Sequence, residues 1–336
     1  MSLRLSVLDQ TPVGEGHTPA EALRASVALA EAADLLGYTR YWTAEHHHSP
    51  GFAGTAPEIL AGALLARTRH MRIGTGGVLL PRYEALKVAE VFGVLAALHP
   101  GRVDLGIGRA GGPAHNFERQ LDELRMRLGL APSVLPGLPS GLVAPVPPQM
   151  WLLGAGTRSA QLAGRLGTSF AFAHFLFPAP ARAALEAYRG AYAAVPGRYP
   201  AQGVLAVRVV TADTAAKAEE LAASVVLWRS RKDLGEDLPL PSPHTTRNHR
   251  WTGQETQRAR SNGRVLVSGA PEQVREQLTR LAADHGVDEL VVNTLTHDPA
   301  DRLRSYELLA ELFELPDRSG QDAPATASAP APAPVG

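Results

Sequence analysis

The stretch Tyr41-Trp42-Thr43-Ala44-Glu45-His46-His47-His48 decides how the rest of this sequence is interpreted. Its first half is short, aromatic and β-branched, which predicts a buried strand. Its second half holds one carboxylate and three consecutive histidines, and Ser49-Pro50-Gly51 then ends the strand. In a parallel α/β protein, such an exit lies at the carboxyl edge of the sheet, where active sites form. The alternative is a group of solvated surface histidines.

The alternation of strand and helix recurs about eight times along the chain. Apolar runs predict strands, and helix-start signals such as Thr18-Pro19-Ala20-Glu21 predict the intervening helices. The predicted strands cover residues 3–7, 41–48, 71–77, 103–108, 150–154, 169–173, 203–210 and 289–294. Eight βα units in roughly 310 residues fit a (β/α)8 TIM barrel with a parallel sheet. A doubly wound open sheet is the alternative.

Some segments lie outside this repeat. Residues 234–262 are polar and rich in Pro, Arg and Thr, which predicts an excursion or mobile loop late in the barrel. Residues 129–148 lack clear periodicity and also predict a loop. We expect residues 1–318 to form the barrel domain and residues 319–336, rich in Ala and Pro, to form a disordered tail.

Composition excludes several function classes. Lys+Arg and Asp+Glu both number 33, so the net charge is zero and a nucleic-acid or acidic-membrane partner is not expected. Without cysteine the chain has no disulfide, thiolate metal site or cysteine nucleophile. The sequence shows neither a signal peptide nor an apolar run long enough to span a bilayer, so we expect a soluble, cytoplasmic protein.

Two glycine-rich strand exits predict contacts with a phosphate. The run from Gly154 through Gly156, Thr157 and Arg158 to Ser159 follows a strand and opens a helix, where free amides, hydroxyls and an arginine suit an anion. An ordinary tight βα turn is the alternative. Residues 106–111 match the G-x-G-x-x-G dinucleotide spacing, but they lie in the fourth unit without the expected acidic residue. Arg109 is therefore better interpreted as a phosphate partner.

Two further strand exits carry candidate site residues: glycines at the third and a histidine at the sixth. Gly74, Gly76 and Gly77 at the third exit favour a bulge or the close approach of a flat ring. His46 and His48 form an H-x-H pair, which is typical of metal-dependent barrel hydrolases. Such sites need further ligands from later strands, where His174 is the only histidine at an exit. We therefore predict no metal site.

With these residues placed, the chain resembles the bacterial luciferase-like flavin-dependent monooxygenase family, in its stand-alone subgroup. The resemblance runs from about residue 5 to residue 312 and rests on motifs that occur in the family's order. These are residues 6–12 (SVLDQTP), 41–47 (YWTAEHH), 74–81 (GTGGVLLP), 99–109 (HPGRVDLGIGR) and 151–154 (WLLG).

The resemblance implies a (β/α)8 barrel that binds FMN at the carboxyl ends of its strands. Reduced FMN and dioxygen would form a peroxyflavin that oxygenates a small organic substrate. By motif, His46 matches the catalytic histidine, assisted by Glu45, and Gly76-Gly77 matches a bulge with a non-proline cis peptide behind the flavin. Arg109 and the turn from Thr157 to Ser159 match phosphate contacts. His47, His174 and Phe175 are the expected substrate-pocket residues.

The resemblance also implies a homodimer through the second and third helices, and the apolar faces of residues 59–66 agree with this. Because the chain has no convincing nicotinamide site, a separate flavin reductase is the expected source of reduced FMN. A deazaflavin-dependent oxidoreductase of the same fold is one alternative. A non-catalytic flavin-binding protein is another, because the segment from Arg109 to Trp151 is shorter than the corresponding segment that the resemblance implies.

Overall fold

The computed structural model describes residues 3–110, 114–131, 144–192, 200 and 202–320. Gly111 of the G-x-G-x-x-G match, most of the predicted loop at 129–148 and the tail from residue 321 onward lie outside the described residues.

Eight parallel strands close into a barrel, which confirms the predicted (β/α)8 fold. The strand ring runs β1, β2, β3, β4, β5, β6, β7 and β9, and β9 pairs again with β1. A short extra strand, β8, pairs with the end of β7 outside the ring. The strands are β1 Arg4–Asp9, β2 Arg40–Thr43, β3 Arg72–Leu79, β4 Val103–Gly108, β5 Gln149–Gly154, β6 Ser169–Ala173, β7 Gly203–Thr211, β8 Val267–Gly269 and β9 Glu289–Asn293.

Helices alternate with the strands and cover the barrel. They are α1 Pro19–Leu35, α2 Pro57–Arg67, α3 Ala85–Leu98, α4 Phe117–Arg127, α5 Thr157–Leu166, α6 Ala181–Ala191, α7 Ala215–Asp233, α8 Pro243–Asn248, α9 Gly253–Gly263, α10 Pro271–His285 and α11 Pro299–Leu312. The predicted start of α1 is confirmed, because Thr18 and Glu21 form a capping box. The cap residue of α2 is Ala56, which makes no side-chain hydrogen bond, and Pro57 is the first residue of the helix.

The prediction of a mobile loop at residues 234–262 is wrong in part, because this excursion contains α8 and α9. Both helices are short and polar, so they lack the apolar stripe that marks a longer helix. Their caps were visible in the sequence: Ser242 accepts a hydrogen bond from the Thr245 amide, and Thr252 and Glu255 form a capping box.

The barrel interior is closed at the amino ends of the strands by a buried ion network. Arg40 donates hydrogen bonds from Nε to Glu289 at 2.7 Å and from a terminal nitrogen to Asp104 at 2.9 Å. Its guanidinium also lies over the Trp151 ring, 4.7 Å from the centroid. Trp42 donates from its indole nitrogen to Asp104 at 2.9 Å. Because this end is filled, a ligand entering the barrel has to approach from the carboxyl ends of the strands.

Candidate active site

His46 lies at the carboxyl exit of β2 and faces the end of β1. Its amide donates to the Gly54 carbonyl at 2.7 Å, which fixes the backbone after the strand. Its ring lies 4.3 Å from the Phe52 ring, and its Nε2 lies 3.3 Å from the side-chain nitrogen of Gln10. The other ring nitrogen, Nδ1, is buried without a hydrogen-bond partner in the described part of the chain.

The hydrogen bonds around Gln10 determine the tautomer of His46. Arg208 has only donors, so the Gln10 oxygen that lies 3.3 Å from it must be the acceptor. The Gln10 amide group then donates toward His46, whose Nε2 must accept. In its neutral form, His46 therefore carries its proton on Nδ1, the buried nitrogen for which the described residues provide no hydrogen-bond partner.

Burial keeps His46 neutral. Desolvation, followed by the nearby positive charge of Lys232, lowers the pKa of His46 to about 4. At neutral pH the imidazole therefore offers an N–H at Nδ1 that can donate a hydrogen bond to an oxygen atom in the site.

Glu45 anchors the site in this structure. Its buried carboxylate accepts hydrogen bonds from the Leu79 amide at 2.8 Å and from the Tyr83 hydroxyl at 2.7 Å, and it lies 2.6 Å from Nε2 of His47. These contacts join the exit of β2 to the exit of β3. His48 is exposed and has a positive φ of 54°. Of the three histidines, only His46 contacts Gln10.

The predicted bulge in β3 is confirmed. The peptide bond between Gly76 and Gly77 is cis, and the pairing of β3 with β4 shifts between Thr75 and Val78. A Cβ atom on Gly77 would lie 2.5 Å from Leu153 and 2.6 Å from the Gly106 carbonyl oxygen, so only glycine fits. The bulge therefore presents bare backbone beside the exit of β2.

Three of the six predicted phosphate residues line one small cavity, and the acidic Glu118 lines it as well. Arg109 at the end of β4 and Arg158 and Ser159 in the first turn of α5 all line this cavity. Gly156 caps α5 without a side-chain hydrogen bond, which leaves the first amides of the helix free for a ligand. Leu153 lines the same cavity and also contacts the position of a Cβ on Gly77, so the cavity adjoins the glycine bulge.

The two predicted pocket residues after β6, His174 and Phe175, lie on different sides of the barrel wall. Phe175 packs against the cluster inside the barrel, and its ring lies 5.0 Å from the guanidinium carbon of Arg208. His174 instead lies 5.8 Å from the ring of His285, in the outer helix α10. Burial, together with His285, lowers the pKa of His174 to about 4. The structure therefore does not bring His174 together with His46.

Arg208 of β7 is a site residue that the sequence analysis missed. It is buried at the carboxyl end of the barrel and donates to Asn293 at 3.1 Å and to Gln10 at 3.3 Å. The available signal was an arginine within the otherwise apolar run of residues 203–210, because a charged residue in such a strand rarely lacks a role.

Among the described residues, no group of three or more His, Asp or Glu side chains has the arrangement of a metal site. In the same part of the chain, no helix combines the length and apolar character that crossing a bilayer requires.

Comparisons with known proteins agree with this geometry. The family model described as luciferase-like monooxygenase matches residues 3–131 and 131–289. The N-acetyl-S-alkylcysteine monooxygenase of Bacillus subtilis (strain 168) is 35% identical over 341 residues, covering 92% of this chain and 98% of that protein. The crystal structure of apo-MsnO8 is 39% identical, with a TM-score of 0.83, and covers 94% of this chain and 100% of that chain.

A more distant structure shares the fold. The oxygenating constituent of 3,6-diketocamphane monooxygenase from Pseudomonas putida, a type II Baeyer-Villiger monooxygenase in complex with FMN, is 19% identical. Its TM-score is 0.66, and the match covers 93% of this chain and 98% of that chain. Together, the family match and the relative from Bacillus subtilis support a luciferase-like monooxygenase, and the more distant structure shows the shared fold.

Proposed function

The chain belongs to the luciferase-like monooxygenase family, and from this premise we propose that it uses reduced FMN and dioxygen to oxygenate a small organic substrate. One observation carries the proposal: the partly buried His46, the glycine bulge and Arg109 lie at the ends of the neighbouring strands β2, β3 and β4, at the open end of the barrel.

The residues present fit a flavin mononucleotide. Leu8 lies too close to Gly76, and Leu153 too close to Gly77, for a Cβ atom at either position. The bulge therefore consists of bare backbone, and a flat ring would lie against that backbone. Arg109, Arg158 and the free amides at the start of α5 suit the phosphate at the other end of the molecule. When bound, reduced flavin would supply the reaction with dioxygen.

In the proposed reaction, the side chains of the protein would position the reactants and donate a hydrogen bond to the reacting oxygen atom. His46 would offer its Nδ1–H to an oxygen atom that gains negative charge, because this nitrogen is buried, protonated and without a hydrogen-bond partner among the described residues. Gln10 would hold that tautomer through its contact with Arg208. Glu45 would keep the exits of β2 and β3 in register, with His47 as its neighbour.

We propose that a separate reductase supplies the reduced flavin. The G-x-G-x-x-G match has a structural explanation, because a Cβ on Gly106 would collide with the Thr75 carbonyl of the neighbouring strand. This close approach of β3 and β4 requires glycine without any dinucleotide.

We also propose a homodimer through α2 and α3. Ile59 of α2 is 71% exposed and Leu98 of α3 is 69% exposed, and Leu86 and Val94 of α3 are exposed as well. An apolar patch of this kind marks an interaction surface. Ile59→Asp and Leu98→Asp should shift the mass measured by light scattering toward the monomer, whereas Leu238→Asp, outside the patch, should not. An unchanged mass in both patch variants would refute this interface.

The proposed function is tested by mixing the protein, loaded anaerobically with reduced FMN, with dissolved oxygen. We expect bound reduced FMN to be oxidised at a rate different from that of free reduced FMN, and the wild type and His46→Ala to differ. Equal rates for bound and free flavin would indicate a non-catalytic flavin-binding protein. Tight binding of reduced deazaflavin with no binding of reduced FMN would favour the deazaflavin oxidoreductase instead.

A further inference from the structure

The buried arginines of this protein differ in how their charge is balanced. Arg40 contacts Asp104 and Glu289, and Arg302 contacts Asp9 at 2.9 Å. Arg208 is also buried, at 6% exposure, but its hydrogen bonds to described residues go only to the neutral side chains of Gln10 and Asn293. In the described residues, no carboxylate forms an ion pair with it. A buried charge left without a counterion costs several kcal/mol.

The cavity beside Arg208 has the volume and the charge of an anion site. It measures about 400 Å³ and lies between β7, α7 and α9. Three arginines, Arg208, Arg229 and Arg258, line it together with a single acidic residue, Asp233. Arg229 already pairs with Asp233 at 2.7 Å, so the positive charge of Arg208 remains uncompensated. Arg258 lies at the exposed side of the cavity.

The other walls of this cavity are mainly apolar, with Ser261 and Asn262 of α9 as the uncharged polar side chains of its lining. Phe175 stands 5.0 Å from the guanidinium carbon of Arg208, and Val225 and Leu266 form the side toward α7 and β8. A ligand that fits both parts has a charged head and an apolar body of moderate size.

We propose that this cavity binds the substrate as an organic carboxylate, with its charged head on Arg208 and its apolar body against Phe175. The carboxylate would supply the counterion that Arg208 lacks, through paired N–H···O hydrogen bonds. Gln10 contacts both Arg208 and His46, so the anion site is one residue away from the proposed catalytic histidine. Calling the anion the substrate rests on the proposed function, whereas the anion site does not.

The test compares acids with their uncharged amides, which have the same shape. Binding of phenylacetate, phenylacetamide, hexanoate and hexanamide is measured by calorimetry at low salt. The wild type should bind at least one acid tenfold more tightly than its amide. Arg208→Met should abolish this preference and Arg208→Lys should retain part of it. Arg280→Met, which removes an exposed arginine of α10, should leave it unchanged.

Gln10→Glu provides a second test that keeps Arg208 in place. A carboxylate at this position would lie about where the Gln10 oxygen lies, 3.3 Å from the guanidinium, and would neutralise it internally. The acid preference should then disappear in a folded protein. The inference is wrong if the wild type shows no acid preference, or if the preference survives in Arg208→Met or Gln10→Glu.

FMN binding measured on the same samples separates the two proposals. Normal FMN binding without an acid preference would overturn only the anion site. An acid preference without FMN binding would overturn only the proposed flavin function.

Discussion

Replacing Arg109 by alanine should weaken the binding of FMN but leave the binding of riboflavin unchanged. Arg109 lines a cavity together with Arg158 and Ser159 of the first turn of α5, and no side chain caps the first amides of this helix. A hydrogen bond between charged groups contributes about 1.5–3 kcal/mol, so the affinity for FMN should fall by a factor of roughly 10–150. Riboflavin lacks the phosphate and should therefore be unaffected.

Arg158 should matter less than Arg109, although it lines the same cavity. Its side chain is 85% exposed and lies 3.7 Å from Glu118, and exposed ion pairs contribute only about 0–1 kcal/mol. Arg165→Ala, at the opposite end of α5, is the matched control and should change neither affinity. Fluorescence titration with both flavins provides the measurement. The phosphate assignment is wrong if Arg109→Ala weakens FMN and riboflavin equally, or weakens neither.

Three further predictions follow from buried groups. His46→Ala should bind FMN almost as tightly as the wild type but lose substrate oxygenation, because its role is to donate to the reacting oxygen; a turnover assay showing full activity would contradict this. Arg40→Met should lower the free energy of unfolding by about 3–5 kcal/mol, measured by urea denaturation, because it leaves Asp104 and Glu289 buried without a cation. His174 takes up a proton near pH 6.5 in the unfolded chain, but only near pH 4 in the folded protein. The free energy of unfolding that the neutral His174 contributes is therefore complete above pH 6.5 and is lost as the pH falls toward 4. His174→Phe should therefore reduce this acid-induced loss by up to about 3 kcal/mol, and an unchanged pH profile of unfolding would contradict the assignment.

The sequence was sufficient for features that depend on local pattern. A few neighbouring residues are enough to recognise each of three features: the strand before Glu45 and His46, the glycines of β3, and the arginine after β4. In a parallel barrel all strand exits share one end, so placing these residues on exits also placed Arg109, Arg158 and Ser159 near one another.

What the sequence did not reveal depends on distant partners. Arg40 and Glu289 form an ion pair although 249 positions separate them in the sequence, and the residues next to either one do not indicate this pairing. Arg208 is recognisable as a site residue only from its hydrogen bonds to Gln10 and Asn293, which lie far from it in the sequence. His174 was assigned to the pocket because it ends β6, but its side chain lies against α10, which only the tertiary packing decides.

The central claim is that the open end of the barrel is built for FMN, and a crystal structure of the protein with FMN tests it most directly. We predict electron density for the phosphate at Arg109 and the first amides of α5, with the ring against Gly76-Gly77 and beside His46. A phosphate bound elsewhere, or a ring that does not contact the glycine bulge, would contradict the account.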